Sequence, residues 1–442
     1  MLENYTYFQD SYNSKPFVKN LIIIANYTSM NRKTLLSASI LFILSASAAI
    51  GQTKHDLALD KNFIDGQLAA SAKQIKVLAA STPDDQFPKT FENGAHVFSG
   101  SRWWCSGFYP GTLLLLSEGT GDQELQGLAL RKLKHLEKEQ YNKGTHDLGF
   151  MLFCSFGNAL RLTGDSTQFK PILATGAESL TSRYSPKTHA IRSWDHGKWK
   201  FPVIIDNMMN LEFLMQVAKM TGNKKYADIA KTHANTTIKN HFRKDFSSFH
   251  VIDYDPETGA VLAKKTHQGA ADESAWARGQ AWALYGYTMM YRETKDKAYL
   301  NQARHIAKYI LNHKNLPADL IPVWDFDYDK IPSDSKMYSQ RDLRDVSAGA
   351  LFASSLLELS EYTKGKESKD YFKKAETMIK NLSSDTYFAK HGDNGGFLLK
   401  HSVGALPLNS EIDVPLTYAD YYYVEALVRY QRLLAGEPLI KE

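Results

Sequence analysis

The sequence predicts an all-α protein, an (α/α)6 toroid of six helical hairpins, and three observations predict it. Apolar runs with helical spacing alternate with charged amphipathic runs. A small polar turn of recurrent composition joins the two kinds of run. The pattern repeats at roughly 40–75 residues, the spacing of stacked helical hairpins.

The turns lie at 118–122, 162–165, 220–223, 293–296 and 362–365, and 434–436 closes the chain in the same position. Gly or Asn just after a helix ends it, and Asp or Asn can begin the next. The runs before the turns, such as 210–219, 281–291, 350–360 and 423–433, carry few charges, as helices buried on most sides should. The runs after them, such as 224–240 and 297–312, carry Lys, Asp and Glu on one face. Charged helices therefore belong outside a ring of apolar ones. An open solenoid is the alternative, but it would show more regular repeat lengths and chemistry along its whole concave face.

Composition narrows the function. The chain of 442 residues is 43% hydrophobic, ample for a packed core. The formal charge of +5 is not gathered into a basic block, so no nucleic-acid partner is indicated. Cys105 and Cys154 are the two cysteines, too few for a disulfide framework or a thiolate zinc site, and they read as free buried thiols. At the N-terminus, Arg32 and Lys33 precede an apolar stretch at 35–49 and a small-x-small site, Ala49-Ile50-Gly51. Residues 30–51 thus read as a secretory signal peptide, and 1–29 as an extension from an upstream start. Residues 52–442 read as a single catalytic domain, periplasmic or secreted from a bacterium. The apolar stretch falls short of the roughly 20 residues of a membrane span, so no stable insertion is expected after cleavage.

A polar or aromatic cluster stands at the start of each apolar run, at 103–111, 145–149, 205–210, 276–282, 344–347 and 418–422. In a toroid these starts converge on one rim, where helix N-termini favour anionic ligands. Capping explains Asp and Thr in such places. It does not explain Trp, Arg, Gln and His. Asp147 and Asp206 open the second and third apolar runs, and paired carboxylates suit acid/base work on sugars. Asp206 follows the apolar stretch 201–205, which should desolvate it and raise its pKa. Arg278 could bind a carboxylate with its planar fork. Trp276 could stack on a sugar, and Trp282 reads equally as core. His250, His267 and Gln268 fall in connecting loops, and 194–199 is a loop rich in Trp and His. The acidic run Asp325-Phe-Asp-Tyr-Asp329 lacks the Gly and final Glu of a calcium loop. There is no phosphate-binding loop, zincin pattern or nucleophile elbow.

Five segments carry a family resemblance: 145–150, 201–211, 267–283, 394–402 and 415–423. They closely resemble unsaturated glucuronyl hydrolases, glycoside hydrolase family 88, in the same order over about 60–432. The resemblance implies an (α/α)6 barrel acting on lyase products of glycosaminoglycan type, whose terminal uronate bears a C4=C5 double bond. It implies hydration of that vinyl ether with Asp206 as general acid/base and Asp147 as its supporting carboxylate. It implies substrate contacts from His250, Gln268, Trp276, Arg278 and Trp282, with His146, Trp199 and Asn207 beside them. No metal and no cofactor is implied. The run Thr112-Leu-Leu-Leu-Leu116, where relatives often have aromatics, and Gly269-Ala-Ala271 depart from the family pattern, which bears on sugar preference. A rhamnogalacturonyl hydrolase acting on pectin fragments, a polysaccharide lyase on the same toroid, and a binding-only protein are the alternatives.

Overall fold

Twelve helices run as six inner and six outer members of one ring in the computed structural model, which describes residues 55–441. The expectations for residues 1–29 and 30–51 lie outside the described residues. The described residues form one compact unit. The outer helices are α1 (Lys61–Ser81), α3 (Gln123–Leu136), α5 (Ser166–Thr181), α7 (Lys224–His241), α9 (Lys297–Asn312) and α11 (Gly365–Leu382). Inner helices are α2 (Phe108–Thr120), α8 (Ala277–Thr294), α10 (Val346–Tyr362) and α12 (Thr417–Leu434). The other two are composite: a π-helix at Gly149–Gly157 continues as α4 (Asn158–Thr163), and a 3₁₀ turn at Ile205–Asn210 continues as α6 (Leu211–Thr221). The ring closes because α12 packs on both α10 and α2, with α1 outside that seam. The turn pattern pointed to the five outer helices that follow a turn; α1, which precedes the first, completes the six.

The recurrent turns work as their residues suggest. Gly121 and Gly222 adopt φ of 76° and 71°, and each donates its N–H to the last turn of the inner helix. An L side chain rarely adopts that conformation, hence glycine. The next residue, Asp122 or Asn223, accepts backbone N–H groups at the start of the outer helix. The fourth turn places Lys295 at φ 59° in the glycine position. Burial covers every side of α8 and α10, whereas α9 and α11 bury one stripe. Fully buried Leu and Phe side chains such as Leu351 and Phe352 each contribute about 1.5–3 kcal/mol.

Strands are where the structure departs from the all-helical expectation. Short antiparallel pairs fill the connections that lead into inner helices: β1 (Phe87–Glu92) with β2 (Ala95–Ser99), β3 (Tyr184–Ser185) with β4 (Ala190–Ile191), and β8 (Ser402–Ala405) with β9 (Ser410–Val414). A three-stranded sheet runs β5 (Pro202–Ile204), β6 (Val251–Tyr254), β7 (Val261–Lys265). His250 and Gln268 lie in loops, as the sequence suggested, but His250 immediately precedes the central strand β6 and Gln268 follows the edge strand β7. Cys105 and Cys154 are free as expected, but only Cys105 is buried; Cys154 is partly exposed. Among the described residues no helix is long and apolar enough to cross a membrane.

Candidate active site

Sheet register brings the first two functional side chains together. Ile204 pairs with Val251, and Ile205 N–H donates to the His250 carbonyl at 3.0 Å. The next residue, Asp206, lies in the first turn of the 3₁₀ segment. Its side chain is 13% exposed, and its Oδ2 is buried without a hydrogen-bond partner among the described residues. Burial pushes the Asp206 carboxyl up to about 7, as the preceding apolar stretch foretold. The Arg278 charge pulls it down, and the Asp147 charge pushes it further up. A carboxyl with that affinity exchanges its proton readily near neutral pH.

Asp147 is held differently. Thr145 Oγ1 donates to Asp147 Oδ2 and accepts from the Asp147 N–H at 3.1 Å. His146 Nε2 lies 3.2 Å from Oδ1. His146 is buried, which holds its pKa below the usual imidazole range despite the Asp147 charge. Asn207 is buried beside it and donates to the Ile191 carbonyl at 2.7 Å. Behind Asp147 the chain is wound as a π-helix, a device frequent at functional sites. Gly149 N–H donates to Asn210 Oδ1 at 2.8 Å, and a Cβ on Gly149 would stand 2.6 Å from that oxygen. Only glycine permits this approach, which draws together the two segments that carry Asp147 and Asp206.

The aromatic residues give the site a dry floor. Trp276 and Trp282 are 2% and 0% exposed, so neither offers an open ring face. Each has a buried indole N–H without a partner among the described residues. Trp276 lies against His250 with centroids 4.6 Å apart, and Trp282 packs on Phe150 and Tyr422. His250 Nδ1 accepts the backbone N–H groups of His267 and Gln268, and the Gln268 side chain donates to the Gly404 carbonyl at 3.0 Å. Trp199 is partly buried in its loop and meets Trp194, which in turn packs near His267. That loop therefore adjoins the Gln268 side of the site.

Arg278 is engaged by the protein itself. Its guanidinium donates to Asp345 Oδ2 at 2.6 Å, to the Val403 carbonyl at 2.7 Å and to the Gly404 carbonyl. It also lies over the rings of Trp276 and Tyr418. The fork offered to a substrate carboxylate is thus engaged by the protein, and the side chain ties α8 to the start of α10 and to the β8–β9 hairpin. Asp345 was visible in sequence only as a helix start, a role it also plays by accepting the Ser347 N–H at 3.2 Å. Glu411, which no local pattern signalled, lies 3.7 Å from Lys89, and burial raises its pKa. Asp325 accepts from Ala270 N–H, Ser274 Oγ and Asp327 N–H, a loop-bracing role rather than a metal ligand's. Among the described residues no cluster could hold a metal ion.

The arrangement brings a near-neutral carboxyl, a hydrogen-bonded second carboxylate and a neutral imidazole to one rim, equipment for proton transfer to and from a substrate. Comparison with known proteins points the same way. The model of Glycosyl Hydrolase Family 88 matches residues 82–436. An unsaturated glucuronyl hydrolase of Formosa agariphila is 46% identical, covering 79% of this chain and 86% of that protein. An unsaturated chondroitin disaccharide hydrolase of Streptococcus pneumoniae is 32% identical, covering 78% and 86%. The crystal structure of an unsaturated glucuronyl hydrolase specific for heparin superposes with a TM-score of 0.79 at 50% identity, covering 84% of this chain and 97% of that one.

Proposed function

The chain belongs to glycosyl hydrolase family 88, and from that premise we propose that Asp206 and Asp147 carry out hydration of a vinyl ether. The protein is a glycoside hydrolase that releases the terminal 4,5-unsaturated uronic acid from lyase-generated oligosaccharides of glycosaminoglycan type.

The raised pKa of Asp206 suits it to the first step. In its protonated form Asp206 gives a proton to C4 of the C4=C5 bond, which leaves positive charge shared by C5 and the ring oxygen. The resulting carboxylate takes a proton from water as that water attacks C5. Asp206 is thereby restored, and C5 becomes a hemiketal carbon. The hemiketal ring opens, and the aglycone leaves from C1 as the free aldehyde forms. One water is consumed and no proton is lost.

Asp147, held by Thr145 and His146, orients sugar hydroxyls. Gln268 and Trp199, both partly exposed, meet the substrate, whereas His146 and Asn207 are buried beside Asp147. Arg278, locked onto Asp345, contributes a fixed positive charge near the substrate carboxylate. The observation that carries this reading is the buried, partnerless Asp206 oxygen on a rim shared with Asp147.

The test is isotopic. Reaction in heavy water should place deuterium on C4 of the released sugar, and the matching saturated uronide should not be cleaved. Comparable cleavage of the saturated uronide without deuterium at C4 would identify a conventional glycosidase. Export to a bacterial periplasm or beyond is a further part of the proposal, supported by the charged and apolar pattern of residues 30–51.

A further inference from the structure

His250 has its protonation state set by backbone. The N–H groups of His267 and Gln268 both donate to Nδ1, at 3.1 and 3.2 Å. A nitrogen accepting two such bonds carries no proton, so the neutral ring holds its proton on Nε2. A second proton on Nδ1 would confront two donors, in a ring that is 3% exposed. Nε2 has no hydrogen-bond partner among the described residues, and neither has Asp206 Oδ2, which faces it across 3.7 Å. A donor and an acceptor, each buried and each unmatched, complement one another. A movement of about 0.5–1 Å makes the bond, a tightening usual when a substrate fills a site.

We propose that His250 is a positioning residue, a permanently neutral Nε2–H donor that holds Asp206 Oδ2 and leaves Oδ1 to carry the proton to and from the substrate. The assignment rests on the reading of Asp206 as acid and base. It makes His250 a fixed dipole rather than a second proton carrier, and it gives the two oxygens of Asp206 separate tasks. The exposure left to the Asp206 side chain is not on Oδ2, so the remaining oxygen is the one a substrate can meet. Other charged or titratable groups act on the pair. Arg278 and Asp147 act on Asp206, and His267, Arg278, His241 and His146 act on His250. All of these stay in place when His250 alone is replaced.

The test uses the full chain. In wild type labelled with 15N-histidine, the ring signals missing from His250→Gln should show a bare Nδ1 and a protonated Nε2, unchanged between about pH 5 and 9. His250→Ala removes a donor to the charged form of Asp206, so the alkaline limb of the kcat profile should move up by about one pH unit. In that variant kcat should fall about tenfold or more while KM changes little. His250→Gln, which restores an N–H, should recover part of both. Titration of the His250 ring within that range would overturn the proposal. So would a His250→Ala variant with raised KM and an unmoved limb, the mark of a group that only binds substrate. Full activity in Asp206→Asn would instead remove the acid/base reading and the oxygen assignment with it, leaving the tautomer as found.

Discussion

Arg278 and Asp345 form a buried ion pair, with Nη1 2.6 Å from Oδ2 and both side chains 1% exposed or less. The pair joins the fourth and fifth inner helices directly beneath the rim. Asp345→Asn leaves the guanidinium charge without its counter-ion, and loss of one partner of such a pair typically costs about 3–5 kcal/mol. Arg278→Lys should also destabilise, because an ammonium cannot reproduce the fork onto Asp345, Val403 and Gly404. Denaturant unfolding of both variants checks this. Unchanged midpoints would show that the pair is not structural and return Arg278 to the substrate carboxylate alone.

Asp206 should trade stability for activity. Its folded pKa of about 7 lies above the roughly 3.9 of an unfolded aspartate, so the folded state holds a proton that the unfolded state has released. Wild-type stability from this group is therefore present below about pH 4 and is lost as pH rises to about 7, by a few kcal/mol. Asp206→Asn, which cannot ionise, should gain on the wild type as pH rises from 4 to about 8, while its turnover falls by about 10²–10⁴. Thermal melts of the two proteins across that range decide it, and parallel pH dependences would contradict the raised pKa.

The same value sets the activity profile. The first step needs protonated Asp206, so kcat/KM should fall above about pH 7 with a slope approaching tenfold per pH unit. A profile flat to about pH 9 would assign the proton to another group.

Gly149→Ala tests how the two aspartates are brought together. Its Cβ would stand 2.6 Å from Asn210 Oδ1 and 2.8 Å from Asn210 Cα. Backbone must shift, at a cost of about 1–3 kcal/mol. Turnover should fall more than folding does, because the shift separates Asp147 from Asp206. Measured kcat and melting temperature separate the effects, and wild-type kcat would refute the positional role.

Export predicts a mature protein beginning near Gln52. N-terminal sequencing of protein purified from its native host should find that residue first. An intact Met1 start in the cytoplasm would contradict it.

The ring of inner and outer helices was legible because it is written locally. Helical periodicity, turn glycines such as Gly121 and caps such as Asp122 act within a few residues of one another. The rim carboxylates were legible for the same reason: each opens an apolar run, and the stretch 201–205 announces the desolvation of Asp206. Long-range pairing was not written in that way. Strand β6 is assigned by its neighbours Ile204 and Lys265, not by its own four residues. Trp276 read as a sugar platform, and Trp282 equally as platform or core, until the ring closed over them.

By itself, then, the sequence determined the fold class, the order of the rim clusters and the chemical types gathered there, since these depend on periodicity and residue identity. Only the tertiary structure decided which groups meet: that Arg278 is paired by Asp345 rather than free, and that His250 is locked neutral by the amides of His267 and Gln268. The physical reason is that a side chain's donors and acceptors are fixed by its type, but its partners and its protonation depend on what burial places within about 3 Å of them.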